Sequence, residues 1–250
     1  MSKTNLVHNY METIHSILRR VEKEEEDSIS RAGELVANSI ENLKPVHVIG
    51  TGHAQILAVE IFNRAGELNV YNSLLDLGLA VPNSAAKASG FEKLPGYAKV
   101  LFDYYGLKKG ETIIVISTSG INAVPIEMAM QAKETGLKVI AITSKGWSSN
   151  VPPRHPSGKR LYELADIVID NHVPMGDAVV AIPGLKQKAT PISTILVAAI
   201  LHSISLKAIE VLLERGIMPP VRTSLNVPGG REFNLKLREK YPDFYKFKHR

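Results

Sequence analysis

Three hydroxyls and a glycine, Ser117-Thr118-Ser119-Gly120, follow the apolar run Thr112–Ile116 and precede Asn122 and Pro125. A β-branched run with no polar break after Thr112 predicts a parallel strand buried on both faces. Asn122 stands where an N-cap is favoured and Pro125 falls in a first turn, while Ile126, Met128, Ala129 and Ala132 keep helical spacing. A strand, a hydroxyl-rich turn and a helix N-terminus together form an anion site. Unpaired N–H groups and the positive helix end face the anion, and the hydroxyls add donors. A phosphate monoester suits such a site, with Ser117, Thr118, Ser119, Gly120 and Asn122 as its candidate ligands. The same hydroxyls could serve only as helix caps.

A second stretch has the same form. Val46–Ile49 predicts a strand, Gly50-Thr51-Gly52-His53 a tight loop, and the residues from about Ala54 a helix. Gln55 stands where the third glycine of a dinucleotide fingerprint would be, and no G-K-[ST] follows either loop, which disfavours nucleotides. Gly52 allows close backbone approach, and His53, next to it, is placed to meet a ligand. Two strand–loop–helix units bring both loops to the carboxyl edge of one sheet, where open α/β folds bind ligands.

The elements that must hold these loops follow from periodicity. Leu6 to Val21 and Ile29 to Ile40 repeat apolar residues at helical spacing, predicting two leading helices, with the acidic run Glu22–Asp27 as a solvated turn between them. A helix over Ala54–Ala65 and a strand over Val70–Leu75 come next. The weakly periodic segment Gly78–Gly96 reads as a lid or rim. Helices are predicted over Tyr97–Tyr105 and Ala123–Thr135, each closed by a glycine. Val139–Thr143, Ile167–Asp170 and Ala178–Ile182 are further strand candidates for the parallel sheet. Ser144–Gly158 is a long loop at the functional edge. Thr190–Arg215 reads as one long apolar helix. Alternation of strands and helices gives an α/β protein: a three-layer αβα sandwich around a mainly parallel five-stranded sheet, preceded by two N-terminal helices. The expected organisation is residues 1–42 as helices packing on the domain or a partner, 43–218 as the ligand-binding domain, and 219–250 as a C-terminal arm.

Composition narrows the classes. Of the 250 residues 44% are hydrophobic and none is cysteine, so disulfides, thiolate metal sites and a cysteine nucleophile are excluded. No apolar segment reads as a membrane span and the N-terminus lacks a signal-peptide core, so a cytoplasmic protein without a membrane partner is expected. The net charge of +5 is concentrated in the tail, where Arg231, Lys236, Arg238, Lys240, Lys246, Lys248 and Arg250 outnumber Glu232, Glu239 and Asp243. The body is near neutral, which argues against a nucleic-acid face. Phe233, Tyr241, Phe244, Tyr245 and Phe247 follow no stacking-platform pattern, so the tail reads as structural.

The two loops resemble those of the SIS (sugar isomerase) domain, a flavodoxin-like phosphosugar-binding fold, over roughly Leu43–Gly216. The chain is similar, more closely, to a bacterial branch described as sugar or phosphoheptose isomerases. The shared segments are Gly50–His53, Arg64–Gly66, Ser119–Glu127, His155–Lys159, Ala165–Asn171 and Gly176–Ala178. Two positions depart from the phosphoheptose isomerase pattern: Ala54 and Asn122 each replace a serine.

The resemblance implies a phosphorylated sugar as ligand and aldose–ketose isomerisation through an enediol, a reaction that needs an acid and a base. It nominates Glu60 on the helix after the glycine loop, and His202 on the last helix, as catalytic groups beside His53. Gly52 and His155 join the hydroxyl loop as substrate-binding candidates. The other reading of Glu60 is a solvent-facing residue paired with Arg64, and of His202 a satisfied core histidine. Some phosphoheptose isomerases bind zinc, but no metal-ligand spacing appears here, and neither metal nor cofactor is expected. SIS domains usually dimerise, so a homodimer or homotetramer is expected. Alternatives within the fold are a sugar-phosphate lyase or etherase and a non-catalytic sensor. The 45 residues before the first strand are too short and too acidic for a helix-turn-helix.

Overall fold

The computed structural model describes residues 5–245. Asn5 caps α1 (Leu6–Glu24) by accepting the His8 N–H, and α2 (Glu26–Glu41) follows after Glu25 alone. Glu25 is buried, so the acidic run is not wholly the solvated turn its composition predicts. Its carboxylate accepts the Asp170 N–H at 3.1 Å and lies 3.2 Å from His172 Nε2, which pins the helix junction to the sheet edge.

Then come β1 (Val46–Gly50), α3 (Gln55–Ile61), β2 (Tyr71–Ser73), α4 (Ala85–Glu92), α5 (Tyr97–Tyr105), β3 (Thr112–Ile116) and α6 (Ala123–Thr135). β4 (Lys138–Thr143), α7 (Lys145–Ser149), β5 (Ile167–Asp170), β6 (Ala178–Val180), β7 (Ala189–Pro191), α8 (Ser193–Glu214) and α9 (Gly230–Lys240) complete the chain.

The five-stranded sheet is parallel throughout, in the order β2-β1-β3-β4-β5. Alternation along each strand divides the core. Val46, Val48, Ile114, Ile116, Ile140 and Ile142 pack with α2, α3 and α8 on one face. Ile49, Ile113, Val115, Val139 and Ala141 pack with α5 and α6 on the other. This is the expected αβα sandwich with its two leading helices.

Further details differ from the sequence reading, among them the short helix α7 inside the predicted loop Ser144–Gly158. Ala178–Ile182 does not join the parallel sheet; β6 pairs antiparallel with β7 as a separate ribbon, with only Val180 of its residues buried. α3 stops at Ile61 because Phe62 turns extended and Asn63 enters the left-handed region at φ 58°. Gly78–Gly96 contains the helix α4, capped by Ser84. α8 begins only at Ser193, after Thr190 at φ 60° in β7.

By length and composition α8 is apolar enough to cross a membrane. In this fold Leu196, Val197, Ile200, Leu201 and Ile204 are buried, and α2 is packed along it. In the tail, Tyr241 and Phe244 stack at 5.1 Å and join the core on the sheet face that α2, α3 and α8 cover, with their segment against β2, while Phe233 is exposed. Phe247 lies outside the described residues.

Candidate functional site

The strand order reverses between β1 and β3: the chain leaves β1 for β2 on one side and returns to β3 on the other. Loops that diverge at such a switch point leave a crevice at the carboxyl ends of the strands. The loops after β1 and β3 are the two glycine and hydroxyl stretches.

The first loop leaves β1 through a single 3-10 turn, Gly52–Ala54. A Cβ on Gly50 would stand 2.3 Å from the main-chain oxygen of Ala54, so only glycine lets the turn fold back over the strand end. Gly52 adopts φ 60°, and its N–H donates to Leu79 O at 3.0 Å. In the second loop the carbonyls of Thr118, Gly120 and Ile121 accept from the N–H groups of Ser144, Leu161 and Arg154 at 2.9 Å each. Those acceptors are therefore spent on the scaffold. Gly120 sits at φ 62°, with Thr143 Oγ1 2.7 Å from where a Cβ would be, and its N–H donates to Ser117 Oγ at 3.2 Å.

Asn122 occupies the N-cap position of α6, yet its side chain makes no cap hydrogen bond. Its Oδ1 instead accepts from Arg154 Nη1 at 2.9 Å. The first N–H groups of α6 thus keep the donor capacity that a capping side chain would absorb.

Between the loops lies a cavity of about 210 Å³. Thr51, His53, Ala54 and Leu57 line it from the first loop and α3, and Ser117, Thr118, Ser119 and Asn122 from the second. Glu92, Trp147, Asp177, Ser193 and Thr194 close it from α4, α7 and the entry to α8. Asp177, at φ 64°, accepts from the N–H groups of Ile192 and Ser193 and from the Ser193 hydroxyl, and so caps α8. Glu92 accepts from the Thr51 hydroxyl at 2.5 Å. A larger cleft of about 360 Å³ lies between α1, α2 and α8, lined by Leu18, Val21, Ile29, Ile200 and Leu206. It is a helix seam rimmed by Glu22, Glu26, Lys207 and Glu210 and away from both loops, so the smaller cavity is the candidate site.

The SIS domain family model matches residues 9–144, more than half of the chain. The chain belongs to the SIS domain family. It is 38% identical to a UPF0309 protein of Shouchella clausii, over 94% of this chain and 96% of that one. A UPF0309 protein of Oceanobacillus iheyensis is 40% identical over 94% of this chain and 96% of its own length. Among solved structures, a phosphoheptose isomerase from Francisella tularensis superposes with a TM-score of 0.54 at 17% identity, covering 83% of this chain and 98% of that one. One from Neisseria gonorrhoeae gives 0.54 at 16% identity, over 80% and 96%. At that identity the likeness establishes the fold.

In this SIS domain the residues singled out in the sequence fall into separate places. His53, Ser117, Thr118, Ser119 and Asn122 line the cavity. Gly52 and Gly120 shape its two loops without lining it. Glu60 and His202 meet one another between α3 and α8, at 3.7 Å from Oε1 to Nε2, and neither lines the cavity. Glu60 Oε2 also takes a 3.1 Å bond from Arg64, and His202 Nδ1 lies 2.5 Å from Glu67 Oε1. Glu60 and His202 offer two candidate ligands, fewer than the three or four protein ligands that hold zinc. Among the described residues no cluster of three His, Asp or Glu could hold a metal ion.

His155 lies outside the cavity as well. It contacts Glu127 at 3.2 Å and the Ser157 hydroxyl at 2.7 Å. Sequence reasoning missed Glu92, Trp147, Asp177, Ser193 and Thr194 as lining residues. Signals existed for two of them: Trp147 sits in the long loop at the functional edge, and Asp177 within the Gly176–Ala178 segment.

Proposed function

We propose that this SIS domain binds a phosphorylated sugar in the switch-point cavity and interconverts its aldose and ketose forms. The observation that carries this reading is the second loop. The carbonyls of Thr118, Gly120 and Ile121 are bonded to the scaffold, while Ser117, Thr118, Ser119 and Asn122, the N-cap residue of α6, border one cavity with His53. Hydroxyls and main-chain N–H groups at a helix start are donors that suit a phosphate. Trp147 and the hydroxyls of Ser193 and Thr194 across the cavity suit a polyhydroxylated chain that needs one apolar wall and several polar partners. His53 borders the same space and can carry a proton to or from a sugar oxygen.

We further propose a cytoplasmic homodimer or homotetramer with no nucleic-acid or membrane partner. Val7 and Met11 on α1 and Leu206 and Leu213 on α8 are exposed apolar side chains available to a second copy.

The test is a thermal-shift screen with sugar phosphates of four to seven carbons beside their unphosphorylated counterparts. A ligand at 100 times its dissociation constant adds about 2.7 kcal/mol of stability. Shifts confined to the phosphorylated members, and abolished in a Ser117→Ala/Ser119→Ala double variant, are expected. Equal shifts with unphosphorylated sugars, or none at all, overturn the reading.

A further inference from the structure

We infer that Glu92 is the carboxylate that moves the proton between the two sugar carbons; the inference rests on the isomerase reading above. The cavity requires a base, and three titratable side chains line it: His53, Glu92 and Asp177. Asp177 is committed to the fold, because its two oxygens accept three hydrogen bonds at the start of α8. Glu92 accepts from the Thr51 hydroxyl through Oε1. Among the described residues Oε2 has no such bond, which leaves that oxygen for a substrate C–H.

The placement supports the role. Glu92 is the last residue of α4, and Thr51 belongs to the glycine loop that also carries His53. Thr51 is buried, so the bond from its hydroxyl fixes the carboxylate against the loop. Glu60, by contrast, is held in an ion pair with Arg64 and a contact with His202, away from the cavity lining.

The chemistry balances. The Glu92 carboxylate takes the proton from the carbon beside the carbonyl of the open-chain aldose phosphate. The C–H electron pair becomes the carbon–carbon double bond of the enediol, and the carbonyl oxygen takes a proton from the His53 imidazolium. In the second half, protonated Glu92 delivers its proton to the former carbonyl carbon. The neighbouring hydroxyl returns a proton to His53 as it becomes the new carbonyl, and both groups end as they began.

The experiment compares wild type, Glu92→Gln and Glu60→Gln in deuterium oxide, with ribose 5-phosphate, glucose 6-phosphate and sedoheptulose 7-phosphate as probes. Turnover and deuterium at the two exchanging carbons are read by NMR, and binding by thermal shift. Glu92→Gln is expected to lose turnover and deuterium incorporation by about 10²–10⁴-fold while keeping the wild-type thermal shift, and Glu60→Gln to stay within about tenfold. If wild type is active and Glu92→Gln is too, Glu92 is not the base and the isomerase reading survives. If wild type binds the probes but neither converts nor exchanges them, the isomerase reading fails and Glu92 fails with it. Should Glu92→Gln not fold, Glu92→Asp keeps the charge and retracts it by one methylene. A fall in kcat of more than about tenfold at unchanged KM supports the assignment, and wild-type kcat overturns it.

Discussion

Nη1 of Arg154 donates to Asn122 Oδ1 across 2.9 Å, joining the loop after α7 to the residue that opens α6. The bond turns an N-cap side chain away from its helix. It also brings a guanidinium next to a cavity whose described lining contains no lysine or arginine.

Removing that link should weaken anion binding more than it weakens the fold. Arg154→Met frees Asn122 to cap α6 and takes away the adjacent positive charge. Affinity for a sugar phosphate is expected to fall about tenfold, or about 1.4 kcal/mol. Folding stability should change by under about 1 kcal/mol, because the regained cap offsets the lost hydrogen bond. Titration calorimetry and urea unfolding check the two values; unchanged affinity rejects the role given to Arg154.

Asp177 should matter first to stability. Its carboxylate accepts three hydrogen bonds at the start of α8, at 3.1, 2.8 and 2.7 Å. Asp177→Ala is expected to cost about 1–2 kcal/mol, the upper end of an N-cap loss. Asp177→Asn keeps an acceptor oxygen and tolerates the left-handed backbone, so it should cost less. Urea midpoints of the two variants give the order; equal midpoints contradict the capping role.

Gly50 is set by space. With the Ala54 oxygen 2.3 Å from where a methyl carbon would stand, Gly50→Ala must push the glycine loop off the end of β1. A destabilisation of about 1–3 kcal/mol is expected, with loss of sugar-phosphate binding. A crystal structure of the variant with its loop unmoved, or wild-type binding, counts against this.

Glu25 gives a pH dependence whose sign can be stated. Burial, with Asp170 adding to it, raises its carboxyl above the ordinary 4.5, against the opposing Asp170 N–H, His172 and Lys145. Glu24 also faces His172, at 3.7 Å. Between the ordinary and the raised value the folded chain holds a proton that the unfolded chain has lost, so this group's contribution to stability falls as pH rises through that window. Glu25→Gln keeps an oxygen for the Asp170 N–H and removes the titration. Its stability-against-pH curve should lack that decline, as urea unfolding from acid to neutral pH can show; parallel curves for the two proteins exclude it.

Local pattern was enough for the pieces that form within one segment. Thr112–Ile116 had to be a buried strand because each of its residues is apolar or β-branched. Ser117–Asn122 had to be a turn into a helix because Gly120, Asn122 and Pro125 permit little else. The parallel sheet followed from the alternation of such units, and the family from the ordered motifs.

Which side chains share a cavity was settled by packing across the sheet edge. Glu92, Trp147, Asp177 and Ser193 come from four segments far apart in the chain, and no period within a segment records what stands opposite it. The same holds for β6, whose residues could pair in either direction until β7 was placed beside it, and for Glu25, an acid in a charged run that the β5 edge buries. Local sequence carries the conformation of an element. The crossovers and the strand order carry its neighbours, and in this protein the neighbours separate Glu92, which lines the cavity, from Glu60, which does not.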